Sequence, residues 1–82
     1  INMKLTKQSA IEILDLLDEV DTEDNLLSVI GGISKLFAIS EFMEDLKPAD
    51  EEGIQEVEVK DEHYNLFVPK LIEWKNNNLV EN

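Results

Sequence analysis

The chain of 82 residues contains no cysteine, which excludes disulfide bonds, zinc–thiolate sites and cysteine nucleophiles. It also contains no arginine, since all seven basic residues are lysines. Arginine is the side chain that most often binds phosphate in a bidentate way, and a formal net charge of −12 repels nucleic acids. We therefore expect no direct nucleic-acid binding, and the lack of cysteine fits a reducing cytoplasm.

Long apolar runs are missing as well. None approaches the roughly 20 residues of a membrane-spanning helix, and no charged segment followed by an apolar one opens the chain as in a secretory signal. Apolar residues still make up 43% of the sequence, which is enough for one packed domain. We expect a single cytoplasmic domain over residues 3–82 that does not contact a membrane. Met3 is taken as the natural start, with Ile1 and Asn2 as an artificial addition.

Motifs for catalysis and for metal binding are not present in the sequence. His63 is the only histidine, so no second histidine stands near it, and we expect a surface side chain at a helix start. The acids after Asp21 alternate as in a calcium loop, but Leu26 and Gly32 occupy the positions where that loop needs glycine and glutamate. The four serines lack a histidine at the spacing of a nucleophile–base pair. We expect no enzyme, no metal site and no cofactor.

The first clear helix signal follows Ser9. Apolar residues recur at helical spacing over residues 10–20, with acids on the other face. Ser9 and Glu12 have the spacing of a capping box, which predicts the helix start at that point. Asp21 or Thr22 is then the predicted N-cap of a second helix.

The second apolar stripe crosses a pair of glycines, Gly31 and Gly32. Its members are Leu26, Ile30, Ile33 and Phe37. Because the spacing continues across the pair, we expect the helix to survive it, at a cost of about 1 kcal/mol per glycine. Either the close approach of another backbone or a kink explains the glycines. Ser40 is predicted to cap a further short helix, which Pro48 ends.

The remaining third of the chain gives a mixed signal. Val57 and Val59 alternate with charged residues, as in a strand. Since no partner strand is evident, we predict an acidic extended connector near residues 48–60. A last helical stripe begins at Asp61 and continues through Pro69, so this segment either kinks or forms two helices. The predicted fold is all-α, with four or five short helices in a compact bundle.

The segment ADEEGIQEVEVKDE, residues 49–62, carries seven acids and one lysine. It is either a solvated stretch that keeps the protein soluble or a surface that attracts a basic partner. In the second interpretation the candidate binding residues are Asp50, Glu51, Glu52, Glu56, Glu58, Asp61 and Glu62. Phe67 and Trp74 are the candidate apolar anchors, although core packing is the simpler interpretation of Trp74.

The chain from MKLTKQSAIEILDLLDEV through LFAISEFMEDL to a closing helix resembles the small acidic helical proteins of phages and prophages. Among these it is similar to tail assembly chaperones in size, order of elements and composition. The resemblance implies a non-enzymatic protein of a bacterial host's cytoplasm that shields a partner protein with a basic or exposed apolar surface. Generous apolar stripes also allow a homodimer. The alternative is an acidic inhibitor that mimics nucleic acid, as anti-CRISPR proteins of this size and charge do.

Overall fold

A computed structural model describes residues 1–79 of the chain. The strands are β1 (Asn2–Thr6) and β2 (Glu56–Lys60), and the helices are α1 (Lys7–Thr22), α2 (Leu26–Ile30), α3 (Leu36–Leu46) and α4 (Asp61–Leu79). Two short 3₁₀ helices, Ile33–Lys35 and Lys47–Asp50, flank α3. No helix within residues 1–79 is long and apolar enough to cross a membrane.

The two strands form an antiparallel sheet, so the prediction of an all-α fold is wrong. Met3 lies opposite Val59, and Leu5 lies opposite Val57. Leu5, Val57 and Val59 are buried, whereas the alternate residues of both strands face solvent. This alternation is what a sheet with one face on the core requires.

The sheet was missed because its first strand is short and includes a residue that the sequence analysis set aside. β1 offers only two apolar residues, and its partner lies about fifty positions away. Backbone hydrogen bonds continue the pairing beyond both ends of the two strands. The amide of Asp61 donates to the carbonyl of Ile1 at 3.0 Å, and that of Lys7 donates to the carbonyl of Gln55 at 3.0 Å. Ile1 and Asn2 therefore take part in the fold.

The segment near residues 48–60 is not the predicted extended connector. Its first part is the 3₁₀ helix Lys47–Asp50, in which Ala49 is fully buried. A turn over residues 51–55 leads into β2. α3 ends at Leu46, two residues before Pro48, as predicted, but Lys47 keeps helical dihedral angles and the chain continues into the 3₁₀ helix that contains Pro48.

The start of α1 also differs from the prediction. Thr6, the last residue of β1, is the N-cap, and its hydroxyl accepts a hydrogen bond from the amide of Ser9 at 3.1 Å. The predicted Ser9–Glu12 capping box is wrong because the strand delivers the chain directly into the helix. Asp21 and Thr22 lie inside α1, so neither caps the next helix.

Gly31 and Gly32 end α2 instead of being part of a continuous helix. Both have φ of +104°, a backbone conformation that glycine adopts at little cost and other residues avoid. The amide of Gly32 donates to the carbonyl of Leu27 at 2.8 Å, which closes the C-terminus of α2. The expectation that the helix survives the pair is therefore wrong. Ser40 falls within α3 and caps nothing.

The core is made by residues from both strands and all four helices. Phe42 of α3 and Phe67 of α4 are fully buried, with ring centroids 5.7 Å apart. α4 continues through Pro69 as one helix, so the predicted alternative of two helices does not occur. Val68 and Leu71, on either side of the proline, are buried in the same core.

Leu5→Ala tests whether the sheet contributes to the core. Leu5 is 7% exposed, so we expect its truncation to reduce the free energy of unfolding by about 2–4 kcal/mol. The matched control is Lys4→Ala on the outer face, where the ion pair with Glu56 at 3.6 Å is exposed and a loss of at most about 1 kcal/mol is expected. Urea unfolding followed by circular dichroism measures both. Equal losses would contradict the inward orientation of Leu5.

Candidate protein-binding surface

Residues 25–40 form the longest stretch of the sequence without an acid. Lys35 is its only charged residue, although 32% of the chain is charged. The stretch covers α2, the glycine pair, the first 3₁₀ helix and the start of α3. A nearly uncharged region in so acidic a protein is the first sign of a surface with a separate role.

Three apolar side chains of this stretch are exposed. Phe37 is 93% exposed, Ile33 is 74% exposed and Leu36 is 40% exposed. We call these three residues the apolar surface. Leu27, on α2 before the glycine pair, is also about half exposed.

The exposure of Ile33 and Phe37 corrects the sequence analysis, which placed them on one inward stripe with Ile30. Ile30 is buried as expected, at 1% exposure. The positive φ angles of Gly31 and Gly32 then rotate the chain, so the residues that follow no longer continue the same helical face. The glycine pair therefore divides the predicted apolar stripe into a buried part with Ile30 and an exposed part with Ile33 and Phe37.

An exposed phenylalanine on a helix is unfavourable unless something covers it. Burying a large apolar side chain contributes about 1.5–3 kcal/mol relative to leaving it in water. Apolar residues scattered singly on a surface are normal, but adjoining ones mark interaction sites. Ile33, Leu36 and Phe37 adjoin within little more than one helical turn.

Lysines border the apolar surface on the side of the glycine pair. A β-carbon at Gly31 would lie 2.9 Å from Nζ of Lys70 and 3.6 Å from Cγ of Lys35, so both side chains lie over this glycine. A shallow pocket of about 330 Å³ follows between α2 and α4. It is lined by Ser28, Val29, Lys70, Glu73, Trp74 and Asn77. Trp74, a candidate anchor, is partly buried there and packs against the core.

A salt bridge lies beyond the apolar surface in the other direction along α3. Glu41 lies one turn after Phe37. One of its carboxylate oxygens accepts a hydrogen bond from Nζ of Lys60 at 2.9 Å. This hydrogen bond lowers the pKa of Glu41 and raises the pKa of Lys60. Nε2 of His63 is 4.0 Å from the other carboxylate oxygen.

His63 is buried, so the expectation of a surface histidine is wrong. It is 7% exposed, and its ring lies 6.3 Å from those of Phe42 and Phe67. Its Nδ1 has no hydrogen-bond partner among the described residues. A sequence signal for this burial existed, because residues 63, 67 and 71 are spaced by four and share one face of α4.

The candidate acids belong to several elements instead of one surface segment. Asp50 ends a 3₁₀ helix, and Glu51 and Glu52 lie in the following turn. Glu56 and Glu58 lie on the outer face of the sheet, where Glu56 pairs with Lys4.

Asp61 and Glu62 occupy the first turn of α4, where the helix dipole favours negative charge. All seven candidate acids are exposed. Phe67, the second candidate anchor, is fully buried, so its side chain is not accessible on this folded surface.

One further groove lies between α1 and α4 and has a volume of about 390 Å³. Its lining includes Ile13, Leu16, Tyr64 and the half-exposed Ile72. Within residues 1–79 there is no cluster of three or more histidines, cysteines or acids that could hold a metal ion.

Comparisons with protein-family models, curated proteins and solved structures find no match to the chain.

The pH dependence of the Glu41–Lys60 pair follows from the two pKa directions. Glu41 has a lowered pKa, so its stabilising effect is present above the ordinary carboxyl pKa and is lost as the pH falls through the folded-state value. Lys60 has a raised pKa, so its effect is present below the ordinary lysine pKa and is lost as the pH rises through the folded-state value. The pair is therefore intact from roughly pH 5 to pH 10.

Lys60→Met should raise the pKa of Glu41 towards its ordinary value, because the donor of its principal hydrogen bond is removed. A carbon-13 NMR titration of the side-chain carboxyl groups measures this pKa. The control is Lys47→Met, which removes the lysine 3.0 Å from Glu44 and should leave Glu41 unchanged. An unchanged Glu41 titration in Lys60→Met would rule out the pairing.

Proposed function

We propose that the chain is a non-catalytic protein-binding domain whose apolar surface binds and shields an apolar segment of a partner protein. The observation that supports this function is the exposure of Phe37 and Ile33 on a nearly uncharged part of the fold. Interface centres are typically poor in charge and rich in large apolar and aromatic side chains. The tail-assembly-chaperone-like role and the cytoplasmic setting belong to this proposal.

The core does not need the apolar surface. Phe42, Leu46 and Phe67 are fully buried without it, and the inward residues of α3 are Ile39, Phe42 and Leu46. Ile33 and Phe37 therefore expose apolar area without stabilising the monomer. Binding a partner is the process that would recover this energy.

The acids contribute at long range in this proposal. A net charge of −12 attracts a basic partner over about a Debye length and accelerates encounter. The contact itself is apolar and bordered by Lys35 and Lys70, so ionic attraction acts before docking more than within it. Solubility and steering are then two effects of the same charge.

A second candidate function is the acidic mimic of nucleic acid. It is favoured by the solvent face of α1, where five acids are exposed: Glu12, Asp15, Asp18, Glu19 and Asp21. Within residues 1–79 none of these takes part in an ion pair. A basic channel in an enzyme could bind such a row of carboxylates.

Ile33→Ser tests the apolar surface. We expect it to lose most of the captured partner, because a 74% exposed isoleucine contributes to the contact and little to the fold. The control is Ile72→Ser, the same change at a half-exposed isoleucine of the α1–α4 groove. The unmodified chain, Ile33→Ser and Ile72→Ser serve as three baits in parallel affinity captures. Mass spectrometry measures how much of the partner each bait retains. A partner retained equally by all three baits would contradict the proposal.

Two sets of five acids test the steering. We expect neutralisation of Asp50, Glu51, Glu52, Glu56 and Glu58 to slow association with the captured partner and to flatten its salt dependence. The control neutralises the five acids of α1 and thus changes the net charge equally. Stopped-flow kinetics over a range of salt measure both. Greater slowing by the α1 set would favour the mimic, and no slowing by either would make the acids solubilising only.

A further inference from the structure

We propose that the apolar surface also joins two copies of this chain in a weak homodimer that forms when no partner is bound. This inference concerns the chain alone and does not rest on the proposed partner binding. Two observations support it: the distribution of charge and the exposed apolar area.

The distribution of charge restricts how two copies can meet. Each copy carries a net charge of −12, so contacts between most pairs of faces bring acids together. Residues 25–40 have no acid and one lysine. The apolar surface therefore lies where two copies can approach with less repulsion than at the acidic face of α1.

The exposed area suits a weak dimer. With exposures of 93%, 74% and 40%, the three side chains of the apolar surface offer on the order of 400 Å² per copy. Two copies then bury about 800 Å² of apolar surface, and flanking residues raise the total to roughly 1,000 Å². That value lies below the roughly 1,200 Å² at which stable interfaces begin and within the range of transient ones, so the dimer depends on protein concentration.

A dimer of this kind protects the apolar surface until a partner arrives. The same three side chains are covered in both states, so partner binding and self-association exclude each other. Repulsion between the two acidic copies keeps the dimer weak enough to exchange.

Sedimentation equilibrium from micromolar to millimolar protein tests the dimer. We expect a monomer–dimer equilibrium whose association constant rises with added salt, because screening reduces the repulsion between the copies. Phe37→Ser should lower this constant roughly tenfold or more, since both copies lose the side chain. Ile72→Ser should leave it unchanged. Circular dichroism verifies that each variant is folded.

Two results overturn the dimer. These are a monomer at every concentration and salt, and a dimer that Phe37→Ser leaves intact. A monomer whose partner capture is still lost in Ile33→Ser would reject the dimer alone and leave the proposed function standing. A dimer that captures no partner would reject the proposed function and leave the dimer standing.

Discussion

The positive φ angles of Gly31 and Gly32 are the constraint on which the surface of this protein depends. They end α2 with Ile30 in the core and start the next segment with Ile33 and Phe37 in solvent. A side chain at either glycine would favour ordinary helical φ values, since the left-handed region is unfavourable for residues with a β-carbon. A continuous helix would then direct all of these apolar side chains to one face. The glycine pair thus separates apolar residues that fold the domain from apolar residues that are exposed to solvent.

The pairing of β1 with β2 fixes the arrangement of helices within which the Gly31–Gly32 break lies. The antiparallel register makes α1 and α4 leave the sheet from opposite ends, because α1 follows Thr6 and α4 follows Lys60. Leu5, Val57 and Val59 then close one side of the core that Phe42 and Phe67 fill. α3 contacts β2, so this long-range pairing also helps to hold α3 in place.

Periodicity was enough to predict the helices at residues 10–20 and after Asp61 and the end of a helix before Pro48, because these features are local. It failed at the sheet, where two short strands specify each other only through a non-local contact. It failed again at Gly31–Gly32, because a stripe that fits one helix fits two helices equally well. The apolar surface follows from that break, so it was absent from the candidate site. His63 was misplaced although its spacing to Phe67 indicated the core.

The acidity and the apolar surface of this protein are best understood together. An exposed Phe37 favours association, and a net charge of −12 opposes it, so each limits the effect of the other. Because charge repulsion is screened by salt and apolar attraction is not, the balance between them shifts with ionic strength. In the proposed function, a basic partner would remove the repulsion locally and leave the apolar attraction in full. The same pair of forces would then keep contacts between copies of the chain weak and favour the partner.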